Sequence, residues 1–139
     1  MIVEVKQEHI DEGVQGNVCY CAVSLAVYEA LKDRYKFTDS EALLAVDFTG
    51  KNEVETDESW VETNVAGFGV EISVYTKLAD DVIVEDYIEL DNNSQGYLGK
   101  YSIEDWIGDF DIGKEYVSPV VFKIEDIHRM NNKKERSSK

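Results

Sequence analysis

Proline occurs once in 139 residues, cysteine and histidine twice each, and only 14 lysines and arginines face 29 acids. Each scarcity closes off a class of function. Cys19 and Cys21 are one residue apart, so a bridge between them would enclose almost no loop and could not staple a fold. That pattern suits a reducing, cytoplasmic setting. Zinc sites pair Cys-x₂₋₄-Cys units with a second set of ligands, whereas Cys19-x-Cys21 has only the distant His9 and His128 to call on. No metal and no cofactor is expected. The chain contains no apolar run of 18 residues, so no membrane-spanning helix is expected, and no basic-then-apolar start that would mark a signal peptide. The shortage of bases argues against direct binding of nucleic acid, whose affinity rests on neutralising phosphates with lysine and arginine. Gly67-Phe68-Gly69 lacks the rest of any phosphate-cradling loop.

What is present is a hydrophobic share of 43% with 11% aromatics, enough for a packed core in one domain. The formal net charge is −15, and it is unevenly spread. Residues 127–139 hold five bases and one acid, leaving residues 1–126 with 28 acids against nine bases, a net of −19. The expected organisation is a single acidic domain over 1–126 and a basic, disordered tail over 127–139.

Hydrophobic periodicity supplies the elements. Residues 2–6 alternate Val3 and Val5 with Glu4 and Lys6, as in a half-buried strand. Residues 7–12 suit one helical turn that Gly13 would stop in a left-handed conformation. Asn17 is placed to cap an almost wholly apolar helix over 19–31, with Ser24, Tyr28 and Lys32 as its narrow polar stripe. Leu44, Val46 and Phe48 alternate with polar neighbours and predict a strand over 43–49, although Thr38-Asp39-Ser40-Glu41 before it also reads as a helix-capping box. Strands are expected over 69–77 and 82–90, joined as a hairpin through Ala79-Asp80-Asp81. Ser102 and Asp105 frame a capping box for an amphipathic helix carrying Ile103, Trp106, Ile107 and Phe110 and ending at Gly113. A last strand over 117–124 includes Pro119. The order β-α-β-β-β-α-β predicts an α+β fold: an antiparallel or mixed sheet of about five strands with two helices packed on one face.

Both ends of the chain resemble a family. The opening Val3-Glu4-Val5-Lys6-Gln7-Glu8-His9-Ile10-Asp11-Glu12-Gly13, followed by Cys21-Ala22-Val23-Ser24-Leu25-Ala26, is similar to that of small uncharacterised bacterial and phage proteins. The stretch Asp109-Phe110-Asp111-Ile112-Gly113-Lys114 with Val117, Pro119 and Phe122 resembles the same family's closing pattern. Ala22 stands where the family tends to have proline, and Cys19 is additional. The resemblance implies a phage or prophage accessory protein and transfers no catalytic residue.

For chemistry, a cysteine nucleophile would need His9 as its base, against the simpler reading that His9 hydrogen-bonds within the turn. Asp91-Asn92-Asn93-Ser94-Gln95-Gly96 has one acid and one glycine of a calcium loop and reads as an ordinary loop. The remaining signal is acid. Three groups are candidates for a partner-binding surface: Glu53, Glu55, Asp57 and Glu58; Glu71, Glu85, Asp86 and Glu89; and Glu104, Asp105, Asp109 and Asp111. On one strand Glu85, Tyr87 and Glu89 would share a face. The expected function is that of a non-enzymatic, phage-type protein that binds and inhibits a basic host protein, as a nucleic-acid mimic or counter-defence inhibitor. Alternatives are a small enzyme or metal- or ligand-binding domain at the His9/Cys19/Cys21 turn, a homo-oligomer pairing through Trp60 or Tyr101, and an acidic surface that only solubilises.

Overall fold

The computed structural model describes residues 1–38, 57–65, 69–79, 82–91 and 103–130. In chain order these form strand β1 (Ile2–Val5), helices α1 (Gln7–Glu12) and α2 (Ala22–Ala30), strands β2 (Ser59–Val65), β3 (Val70–Ala79) and β4 (Val82–Leu90), helix α3 (Ile103–Ile112), a 3₁₀ turn (Lys114–Tyr116) and strand β5 (Val120–Arg129). The five strands make one antiparallel sheet in the order β1-β5-β4-β3-β2. The α+β expectation therefore holds, with an antiparallel sheet. The strand expected at 43–49 lies outside the described residues, as do Tyr101 and Ser102, and β2 arises instead from the acid-rich stretch around Trp60.

β5 closes the fold in two halves. Its start pairs with β1, from Val5↔Val120 to Ile2↔Lys123, and its end pairs with β4, from Leu90↔Ile124 to Asp86↔Arg129. The Met1 ammonium donates to the Ile124 carbonyl at 3.1 Å, so the N-terminus is locked onto this strand. The expected limit at residue 126 is thus corrected: Ile127, His128 and Arg129 are ladder residues of β5, not tail. Ile127 also packs partly buried against the core, a signal too short to register as strand period by itself.

Alternation puts Val3, Val5, Phe122, Ile124, Ile88, Ile72, Val74 and Val61 on one face of the sheet. There they meet Ala22, Val23, Ala26 and Val27 of α2 and Ile103, Trp106, Ile107 and Phe110 of α3 in one buried cluster. The i, i+4 pair Trp106 and Phe110 stacks at 5.8 Å, and the Trp106 indole donates to the Ser118 carbonyl at 2.9 Å. Burial of such side chains, about 1.5–3 kcal/mol each, is the main force holding helices to sheet. Among the described residues no helix is long and apolar enough to cross a membrane.

Two of the three residues of the expected polar stripe, Ser24 and Tyr28, turn inward, while Lys32 is exposed beyond the end of α2. Ser24 donates to the Val18 carbonyl and hydrogen-bonds Thr63, while the Tyr28 hydroxyl accepts the Val61 N–H at 3.0 Å. Val18 accepts the Thr63 N–H, Lys36 accepts the Ser59 N–H, and Thr38 donates back to the Ser59 carbonyl. Together these groups cover the outer edge of β2, which would otherwise template pairing with another chain.

Two expectations about the α1–α2 connection change. Gly13 is extended (φ −67°, ψ 150°), not left-handed; it is glycine because α2 begins against it. The left-handed residue is Gly16, at φ 73°. Asn17 receives the Cys19 N–H on its side chain, closing a turn two residues long, and α2 begins only at Ala22. Asparagine here shapes the turn and does not cap the helix.

Candidate functional site

His9 is buried at the junction of β1, α1 and α2. Its Nδ1 accepts the Lys6 N–H at 2.9 Å, which leaves the proton on Nε2 to be donated to Glu29 at 2.7 Å. Glu29 also pairs with Lys6 Nζ at 2.8 Å, and these two bonds, the lysine's first, hold its carboxyl below the usual range. Glu8, His9 and Glu29 come within 4.8 Å of one another at their ligand atoms. The tautomer fixed by Lys6 has no lone pair on Nε2 to offer a cation, and the arrangement works as a hydrogen-bonded anchor.

Both thiols are buried. Burial, and then the charge of Glu62, pushes Cys19 up to about 12, and burial likewise raises Cys21. Only a thiolate is a competent nucleophile or metal ligand. In native protein at pH 8, a disulfide reagent such as DTNB is expected to modify less than about 0.1 thiol per chain in the time that frees two in denaturant. A fast-reacting native thiol would contradict this.

The acids sort into distinct environments. Asp86 is corrected outright: it faces the core side of β4, buried, bonded by Arg129 and by the Tyr35 hydroxyl at 2.9 Å. A one-residue step along a strand reverses the face, and the Glu85-Asp86 doublet concealed this. Asp57 is exposed at a left-handed position, φ 73°. Glu58 is half-buried, accepting Thr38 and near Lys36. Glu53 and Glu55 lie outside the described residues. On α3, Asp105 and Asp111 are exposed and Glu104 and Asp109 half-buried, on the side away from the core. They therefore stand on the opposite side of the molecule from the sheet's outer face.

That outer face gathers the rest. The cross-strand rows are Trp60–Tyr75–Glu85, then Glu62–Ser73–Tyr87–His128, then Asn64–Glu71, with Glu89 opposite Asp126. Glu85, Tyr87 and Glu89 do share one face, as their spacing predicts, and Glu71 and Glu62 join them across β3 and β2. Ser73 donates to Glu85 at 2.6 Å, and His128 meets Glu89 at 2.6 Å. Burial and then the charges of Glu71, Glu89 and Glu85 raise the Tyr87 phenol, so its hydroxyl sits in a concentrated negative field. The hydrogen bond that His128 donates to the Glu89 carboxylate keeps its ring protonated to higher pH than usual.

Glu62 belongs to no motif of the sequence, although the period-2 run Trp60, Glu62, Asn64 could have placed it here. Burial raises its pKa, with the charge of Glu85 adding and hydrogen bonds from Trp60 and Asn64 opposing. A raised carboxyl favours the folded state fully below its unfolded pKa, and that contribution is lost as pH rises through the folded value. Glu62→Gln is therefore expected to raise the melting temperature at pH 7 and to leave it nearly unchanged at pH 4. Equal effects at both values would contradict the sign.

Compared with family models, curated proteins and solved structures, the chain shows no match to any of them.

Proposed function

We propose that this protein is a non-enzymatic binder of a basic protein surface, and that the Glu71/Glu85/Tyr87/Glu89 face of β3 and β4 makes the contact. The observation that carries this reading is the convergence of three carboxylates on one half-buried tyrosine, with Glu62 adjacent. Acids gathered on a rigid sheet hold their charges at fixed spacing, about 7 Å along a strand and about 5 Å across strands. Such a face suits a basic groove shaped for nucleic acid, and tyrosine adds a large contact at low entropic cost. The partner is accordingly a nucleic-acid-binding protein of the host, and the protein acts as a mimic or inhibitor of phage type, as the resemblance of the chain's two ends implies. The buried, protonated thiols and the doubly bonded His9 weigh against the alternative of thiol or metal chemistry at the turn.

The test compares wild type with the Glu71→Gln/Glu85→Gln/Glu89→Gln variant in affinity capture from host lysate. Wild type is expected to retain basic nucleic-acid-binding proteins at about 50 mM salt and to release them by about 500 mM, with duplex DNA competing. The variant should bind at least about tenfold more weakly. Neutral or acidic partners, salt-insensitive retention, or full binding by the variant would sink the reading.

A further inference from the structure

On the helix side of the sheet, where α3 meets the turn before α2, lies a cavity of about 120 Å³. Its walls are Val18, Val65 and Ile107; the buried Cys21 and Thr63 form the floor, and the exposed Asp111 stands at the mouth. No basic residue of the described chain lines it. The mouth is pre-set: the Gly16 N–H donates to Asp111 Oδ1 at 3.0 Å, and the Gln15 amide donates to the Phe110 carbonyl at 2.7 Å, tying the turn to α3. One carboxylate oxygen is fixed by the turn, and the other is left for a visitor.

We propose that this cavity is a slot for one lysine side chain of a partner protein. A cavity of about 150 Å³ takes a benzene ring, so this one suits a four-carbon chain. Lysine buries its methylenes against apolar surface while its ammonium stays at the wet end, and here that end meets Asp111. Lysine is favoured over arginine because Asp111 has one oxygen to offer, which serves a compact point charge; a guanidinium fork wants two. An uncharged aliphatic side chain would fill the walls and leave the carboxylate unused. The overall charge of −15 draws basic partners towards this side as well as the other. The slot stands across the molecule from the Tyr87 face and does not depend on that face being used.

The test is an NMR titration of the full chain with Nα-acetyl-lysine methylamide, its arginine counterpart and its norleucine counterpart, read at the Gly16 amide and the Val65 methyls. The lysine probe should produce saturable shifts with a dissociation constant in roughly the millimolar range expected of so small a ligand. The norleucine and arginine probes should bind about fivefold more weakly, the former for want of the exposed charge contact. Asp111→Asn keeps an acceptor for the Gly16 N–H and removes the charge, so it should bring lysine down to the level of norleucine. Absence of saturable shifts at Gly16 and Val65, or equal binding of lysine and norleucine to wild type, overturns the proposal. Both readouts need no variant, so a poorly folded Asp111→Asn would not rescue it.

Discussion

Gly13→Ala is expected to destabilise the protein by about 3 kcal/mol, towards the upper end of overpacking changes. A Cβ at this position would lie 2.7 Å from the Ala22 nitrogen, 2.9 Å from the His9 carbonyl oxygen and 3.0 Å from the Ala22 Cα. All three are backbone atoms. No flexible side chain can turn aside, so relief requires moving the first turn of α2 away from α1. That turn is fixed from the other side, because Ala22 and Val23 are fully buried in the core and the Gly13 N–H bonds back to His9 at 2.8 Å. For a chain of this size the change corresponds to a melting-temperature fall of roughly 10 °C. Two other glycines provide internal controls for the steric origin. A Cβ at Gly16 would meet nothing within 4 Å, but the residue is left-handed, so Gly16→Ala should cost about 1–2 kcal/mol through backbone strain alone. Gly108 is exposed within α3 and equally uncrowded, so Gly108→Ala should stabilise by up to about 1 kcal/mol through helix propensity. Urea unfolding of the three variants checks the order. A loss below about 1 kcal/mol for Gly13→Ala would show that α2 can shift, and the close approach would then not be what requires glycine.

The Gly13 result bears on how much could be read from the chain. Its position as a helix stop was legible, since a glycine after six helix-compatible residues is a strong punctuation mark. Its reason was not, because a close approach between helices separated by nine residues of turn leaves no local trace. The same division runs through the fold. β4 over 82–90 and the core stripe of α3 followed from periodicity that tertiary structure had no cause to override. β2 was obscured because its alternation mixes Trp60 outward with Val61 and Thr63 inward, and acids dominate its flanks. Its edge is satisfied by groups far away in sequence, Val18, Tyr28 and Lys36. Of the candidate site, the stripe Glu85-Tyr87-Glu89 was legible from strand period alone. Joining Glu62 and Glu71 to it required the register of β2 and β3, and separating off the acids of α3 required knowing which face the helices cover.

Asp86 and Arg129 give the second large effect, and it is asymmetric. The Asp86 side chain is 9% exposed and the Arg129 side chain 56%. Arg129 donates from both Nε and an η nitrogen, the latter at 3.3 Å, and Tyr35 supplies a further bond. Arg129→Ala leaves the carboxylate on the core side of the sheet without its countercharge, held by the Tyr35 phenol. The expected cost is about 2–3 kcal/mol, below the full penalty for a buried pair because water can follow the departing arginine. Asp86→Ala leaves an arginine that can turn into solvent, and should cost only about 1 kcal/mol. The double variant should then be no less stable than Arg129→Ala alone, since removing the acid removes the stranded charge. Urea unfolding of the cycle at pH 7 measures this, and equal costs for the two single variants would refute the asymmetry. The pair also bears on the candidate binding face. Arg129 anchors the end of β5, and the next residue, Met130, donates its N–H to the Glu85 carbonyl at 2.9 Å, while His128 bonds Glu89. Loosening that strand end frees the backbone beneath Glu85 and Glu89 without touching either charge. Arg129→Ala should therefore weaken partner binding by a smaller factor than the triple glutamine variant, and should do so with a salt dependence at least as steep as that of wild type, because pre-organisation is lost while the carboxylates of the face stay and one positive charge is removed.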